Sequence, residues 1–544
     1  MSQAISKRHI RFNRRFASAL VVLWMAITPG WVNALPSGGE IVSGTGSIDQ
    51  SAQDMVIQQD SQQLITNWQG FSIDEAESVT FLQPNSSAVA LNRVIGSDPS
   101  IILGKLSANG QVFLTNPSGV VFGKNAVVDV HGLLATTLGI SNEDFLKGNY
   151  QFSQDPDQSL AAVINSGTIN AGSYVGLAAP TVENNGSIIV ADLGSVALAS
   201  GTAATLDFNG DGLISFTVTG EVSGVVTDSE GNVLGDRINN SGFIRANGGQ
   251  VLLTARSASN VIGDVINHSG IIEAQTVQQK DGKIILSGGG QGNIGLSGTL
   301  DAALVQISAG SDRNGTGAVM VAKGESLTTN NGDIQIVADD LILEGDLNSG
   351  TGNVFFILAG GGTLILSPDG GNGAHIGDND LSHIIAQNLT LGTSGNINIQ
   401  GLTEGSTSGI TDTVFLVSGK NINFNGETSF PAVNVSAVTD INVRANITTT
   451  RGDFVAVADS EGNGAGDFNV APGAVITSAR DIDISAPNIN ADESSFNETR
   501  NLVLNGNTVT PGPTPATFDA GSLQRGSLSS FLTDFFENGG PDGC

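Results

Sequence analysis

A chain of 544 residues with 72 glycines, 3 tryptophans, 2 tyrosines and only 14 % charged residues is neither a disordered polymer nor a collagen. Short Val/Ile runs are too frequent for disorder, and glycine does not recur at every third position. The formal net charge of -30 repels phosphate backbones and argues against nucleic acid as a partner, which leaves short strands joined by Gly/Asn turns.

At the N-terminus, Lys7, Arg8, Arg11, Arg14 and Arg15 precede an apolar run, Phe16 to Ile27, and small residues follow at Val32-Asn33-Ala34. A basic start, an apolar core of about 12 residues and a small-residue end are the plan of a signal peptide read by the Sec export machinery. The run falls short of the roughly 20 residues that span a bilayer. Residues 1–34 are therefore expected to be removed near Ala34. Cys544 is the only cysteine, so no disulfide closes within the chain.

Beyond the signal a form recurs: Asn-x-Gly, a β-branched residue, a few small residues, then an apolar strand. It stands at 164–179 (INSGTINAGSYVGLAA), 182–200 (VENNGSIIVADLGSVALAS), 238–255 (INNSGFIRANGGQVLLTA) and 266–274 (INHSGIIEA). Gly167 and Gly186 are 19 apart, and Gly242 and Gly270 are 28 apart, one coil of about 20 residues plus a loop. Farther on, DIQIVA (333–338), NINIQ (396–400), NINFNG (421–426), DINV (440–443) and DIDIS (481–485) mark further strand starts. Ile422 to Ile441 is 19 residues, and Ile441 to Ile482 is 41, close to two coils.

This period predicts an all-β chain, a right-handed parallel β-helix with three short strands per coil. An array of antiparallel sandwiches shares the turns but does not favour repeats near 20. The turn Asn and Gly residues are expected to take positive backbone angles, and stacked Asn side chains to hydrogen-bond from coil to coil. Residues 208–235 lack the repeat and alternate, which predicts a hairpin excursion on the flank. Residues 511–517 (PGPTPAT) read as a hinge, followed by a tail whose 527–539 segment suits one short helix capping the solenoid or a disordered end.

Residues 78–150 carry the most specific pattern. Phe113-Leu114 ends a strand, Asn116-Pro117-Ser118-Gly119 makes a turn, and Val120-Val121-Phe122 opens the next strand. Phe122-Gly123 and GLLATTL (132–138) follow, and Gln83-Pro84-Asn85-Ser86-Ser87 with Leu91-Asn92-Arg93-Val94 stands upstream. In this order the region resembles the two-partner secretion (TPS) domain of filamentous haemagglutinin-like exoproteins. Asn116 to Val120 matches the Asn-Pro-Asn-Gly-Ile element of that family, with Ser at its third place and Val at its fifth. The second family motif, Asn-Pro-Asn-Leu, has its nearest counterpart at Gln83 to Ser86.

The resemblance covers roughly 35–290 and implies a β-helical secretion domain. It also implies a partner, an outer-membrane β-barrel with periplasmic POTRA domains that exports the chain unfolded. Asn116, Pro117, Ser118, Gly119, Val120, Gln83, Pro84, Asn85, Asn92 and Arg93 are the expected secretion-recognition residues. Residues 291–510 are then a β-helix continuation with an adhesive surface toward a host, a matrix or a neighbouring cell, and 511–544 the hinge and tail.

No cofactor is expected and no catalytic constellation stands out. Asp207-Phe208-Asn209-Gly210-Asp211-Gly212 has the start of a calcium loop, but Val218 occupies the place of its bidentate Glu, and an Asx/Gly turn explains the same residues without metal. His131, His268, His375 and His383 have no metal-site spacing. Glu75 with Glu77, and Asp339 with Asp340, read as solubilising charge rather than an acid/base pair. Two alternatives stay open: a haemolysin of the same secretion family, and a β-helical polysaccharide-degrading enzyme.

Overall fold

The computed structural model describes residues 35–509 apart from 210–212, 259–263, 278, 290–291, 311–316, 370–373, 404 and 506. The signal segment, the tip of the suspected calcium loop, and the hinge, tail and Cys544 lie outside the described residues.

Each coil of the right-handed parallel β-helix contributes one strand to each of three faces. The second coil illustrates the pattern, with Ser78–Leu82 on the first face, Val89–Val94 on the second and Ser100–Ile102 on the third. The first two pair in parallel with strands of the coils on either side, and Ser100–Ile102 pairs in parallel with Val120–Phe122 of the next coil. At the N-terminal end Glu40–Ser43 and Gly46–Gln50 instead pair antiparallel, closing the edge that the first coil leaves open.

The core is a set of aliphatic columns. On the second face one column runs in unbroken register from Leu64 through Ala90, Val112, Leu133, Val175, Val196 and Val251 to Ile284. It continues through Val305, Ile334, Val354, Leu389, Val414, Val433, Phe454 and Ile482 to Leu502. Every member is buried, and each stabilises the fold by about 1.5–3 kcal/mol through the apolar area it hides, Ala90 by less. No break in this column separates residues before 290 from those after it.

Four Asn-x-Gly-type turns stack at the corner between third and first faces. Asn165 Nδ2 donates to Asn184 Oδ1 at 2.8 Å, and Asn184 Nδ2 to Asn240 Oδ1 at 2.7 Å. Asn240 Nδ2 meets His268 Nδ1 at 3.1 Å. The ladder is the expected one, but the glycines are there for another reason. Gly167, Gly186, Gly242 and Gly270 do not have positive φ. A Cβ on Gly186 would sit on the carbonyl oxygen of Gly167, and Cβ atoms on Gly242 and Gly270 would sit on the glycine carbonyls one coil before. Glycine is required by close approach, not by backbone angle.

The late dipeptide marks also divide. Asn398, Asn423, Asn442, Asn469 and Asn490 form one outward column on the third face, linked by amide hydrogen bonds of 2.7–3.1 Å. Ile422 and Ile441 pair directly beneath that column. Ile482 belongs to the second face, between Phe454 and Leu502, so its 41-residue distance from Ile441 is not a stacking repeat.

Candidate secretion-recognition site

Two insertions turn part of the second face into an interior layer. The first leaves the helix after Thr136 and forms a short α-helix, Asn142–Lys147, before the strand Gln151–Ser153. Ser141 caps that helix by accepting from Asp144 N at 3.0 Å, and Gly148 ends it in the left-handed conformation. The second is the expected excursion, which begins at Ala203: Ala203–Asn209 and Leu213–Gly220 pair antiparallel, and Gln151–Ser153 adds a third strand.

Under this small sheet the outward residues Ile65, Leu91, Phe113, Leu134 and Ala197 are buried against Leu206, Ile214 and Phe216. That is why Ser195–Ser200 is buried at every position, whereas Asp333–Ala338, with no cover, alternates. A run of edge-to-face rings staples the layers, with Phe113–Tyr150 centroids 5.3 Å apart, Tyr150–Phe208 5.6 Å and Tyr174–Phe208 5.3 Å. Burial, with Tyr150 nearby, pushes the Tyr174 phenol well above its usual range, and its hydroxyl donates to Gln111 Oε1 at 2.7 Å.

Asn116 follows the strand Gln111–Thr115 at the edge of this layer, where the chain turns toward Val120–Phe122. Its carbonyl accepts from Gly119 N at 3.0 Å, and its Oδ1 accepts from Ser118 N at 2.9 Å. Its Nδ2 donates to Asp98 O and Ser100 Oγ, both at 3.0 Å, so the turn is tied to the coil before it. Gly119 has φ +116°, which explains glycine at that place. Asn116, Gly119 and Val120 are buried, while Pro117 and Ser118 are half-buried at the corner.

Arg93 lies one coil earlier in register with Thr115, beside this corner. Its guanidinium donates to Asn142 Oδ1 at 2.7 Å, to Ile140 O at 2.8 Å and to Asn67 Oδ1 at 3.3 Å. Desolvation lowers its pKa from the ordinary arginine value. Asn92, its neighbour, faces the core, where it accepts from Trp68 Nε1 at 3.0 Å. Gln83, Pro84 and Asn85 occupy the opposite corner, across about 20 Å of strand. Gln83 is buried and donates to Gln59 Oε1, Ala88 O and Gln111 O, while Pro84 and Asn85 are exposed. Asn85 Nδ2 donates to Gln62 Oε1 at 3.0 Å. Arg93 and the Asn116 corner are thus brought together, and the Gln83 corner stands apart. The first insertion went unread, although Ser141-Asn142-Glu143-Asp144 is an N-cap signal.

The other residues singled out have structural employment. Glu77 is buried and accepts from Asp74 N at 2.8 Å, while Glu75 accepts from Asn125 Nδ2 at 3.3 Å. Asp339 and Asp340 accept backbone N–H groups from Gly317 and Leu341. Val218 packs into the layer beneath the hairpin. Among the described residues no three His, Cys, Asp or Glu side chains gather to hold a metal.

The site is thus a β-helix with one face roofed by its own insertions and a locked Asn-Pro-Ser-Gly corner at the edge of that roof. Residues 33–301 match the TPS secretion domain. A heme/hemopexin-binding protein of Haemophilus influenzae is 36 % identical over 259 residues, 46 % of this chain and 27 % of that protein. A hemolysin of Serratia marcescens is 26 % identical over 190 residues, covering 32 % of this chain and 11 % of its own. The chain therefore spans about a quarter or less of these relatives. The HMW1 secretion domain from Haemophilus influenzae, a solved structure, aligns at 22 % identity over 86 % of this chain and 100 % of its own, with a TM-score of 0.42.

Proposed function

We propose that the chain is a TPS exoprotein sent through the periplasm to the cell surface or beyond, that its partner is an outer-membrane transporter of the POTRA-bearing β-barrel kind, and that this transporter reads the corner at Asn116, Pro117, Ser118, Gly119 and Val120. Arg93 and Asn92 hold the neighbouring strand, and Gln83, Pro84 and Asn85 form a second, separate contact. The observation that carries this reading is the way Asn116 spends both ends of its amide inside the domain. The turn keeps one shape, and Pro117 and Ser118 are the side chains left at its surface. Co-expression with and without a POTRA-bearing barrel tests it. Extracellular protein should appear only with the barrel, and export independent of any such partner defeats the reading.

Residues 291–510 we read as the adhesive part. The support is chemical: the column from Asn398 to Asn490 repeats an amide at every coil of an open face, a pattern suited to many weak polar contacts. Protein carrying Asn423→Glu and Asn442→Glu should lose attachment to cells or biofilm matrix relative to the unmodified chain. Lysis of erythrocytes without attachment would replace the adhesin by the haemolysin reading.

A further inference from the structure

The third face carries a hollow of about 500 Å³ that spans the end of the TPS match. Strands Asp264–His268, Asn293–Leu296, Ala318–Val321 and Asp340–Leu343 stack there, and Asn267, Gly295, Met320 and Ile342 stand in one outward column. Gly295 has no side chain and opens a notch in that column. The Asp264 carboxylate lies over the notch, since a Cβ on Gly295 would come within 2.7 Å of its Oδ2. Met320 and Ile342 continue the floor, and Ile342 is 39 % exposed. Glu325 and Glu344 close the far end.

The carboxylate of Asp264 is poorly served. Burial, with Asp236 nearby, raises its pKa, and it has no hydrogen-bond or ion-pair partner among the described residues. A desolvated anion without donors is costly unless a cation meets it. Among the described residues no basic side chain lines the hollow. Its residues come from four coils, about 14 Å along the stack, the reach of four extended residues.

We propose that this groove binds a basic, apolar peptide segment of a partner protein, with an Arg or Lys head on Asp264 and neighbouring apolar side chains over Met320 and Ile342. Asp264 supplies the anchor that fixes position, and the apolar floor selects against plain polyamines and bare cations. Glu325 and Glu344 favour a second basic residue at the other end. The inference does not depend on the adhesive reading or on the transporter.

The test is fluorescence anisotropy of the full chain with a labelled peptide, acetyl-Leu-Arg-Leu-Arg-Leu-amide. Saturable binding is expected, weakened about ten-fold or more by Asp264→Asn and by Ile342→Ser, and unchanged by Glu461→Gln at a remote exposed acid. Urea midpoints equal to that of the unmodified chain confirm that the variants fold. Gly295→Val, which fills the notch, should also block binding. Absence of saturable binding, or equal weakening by Asp264→Asn and Glu461→Gln, would mean only diffuse attraction to an acidic protein and overturn the proposal. Arginine amide binding as tightly as the peptide would overturn it too, because the apolar floor would then contribute nothing.

Discussion

Arg93 and Asn142 meet at 2.7 Å although 49 residues separate them, and this contact pins the first insertion to the β-helix. The same guanidinium holds the carbonyl of Ile140, immediately before the helix cap at Ser141. Arg93→Ala strips both acceptors of a charged donor. It should cost about 1.5–3 kcal/mol, read as a lowered urea midpoint, with faster amide exchange concentrated in 137–161. A loss below about 0.5 kcal/mol would show that the insertion is held by its rings alone.

Gly242 and Gly235 offer a paired test of the stacked corner. A Cβ on Gly242 meets the Gly186 carbonyl, whereas one on Gly235 meets nothing within 4 Å. Gly242→Ala should destabilise by about 3 kcal/mol, because backbone must move on both coils, while Gly235→Ala should stay within about 0.5 kcal/mol. Equal effects would contradict the close-approach explanation.

His268 ends the buried asparagine ladder, and burial lowers its pKa to about 4. Asn240 donates to Nδ1, so Nε2 carries the proton toward Thr299 O at 3.4 Å. A second proton would set two donors against each other. The unfolded chain takes up that proton near pH 6.5 and the folded one only near pH 4. Stability from this group is therefore whole above pH 6.5 and drains away as the pH falls toward 4, by about 3 kcal/mol in all. His268→Asn continues the ladder without titrating. Urea midpoints of the two proteins between pH 7 and 4.5 should diverge, with the His protein losing more, and parallel curves would contradict the assignment.

Much of the fold was legible because repetition is legible. Asn165 to Asn184 and Ile422 to Ile441 are both one coil of 19 residues, and the stacked strands lie where those intervals put them. The period disappears where a coil carries an insertion: Leu133 and Val175 are neighbours in the core, as are Val196 and Val251. In both cases the inserted residues lie outside the coil and leave the column intact. The two strand starts at Ile441 and Ile482 look alike because every face needs an aliphatic residue after a polar corner, so local sequence does not say which face is meant. At the candidate site the turn Asn116–Gly119 was readable from Asn, Pro and Gly. The roles of Arg93 and Asn92 were not: one points out beneath an insertion and the other into the core, and only the register separates them.

The central claim is that the corner beside Arg93 is what the transporter reads. The most direct measurement is the ratio of extracellular to periplasmic protein for a chain carrying Pro117→Ala and Ser118→Lys, with the barrel partner present. These substitutions leave the buried hydrogen bonds of Asn116 and the glycine at 119 in place, and refolding of the purified protein provides the control. The ratio should fall about ten-fold while refolding is unchanged. Export at the unmodified level by a chain that refolds normally would contradict the claim.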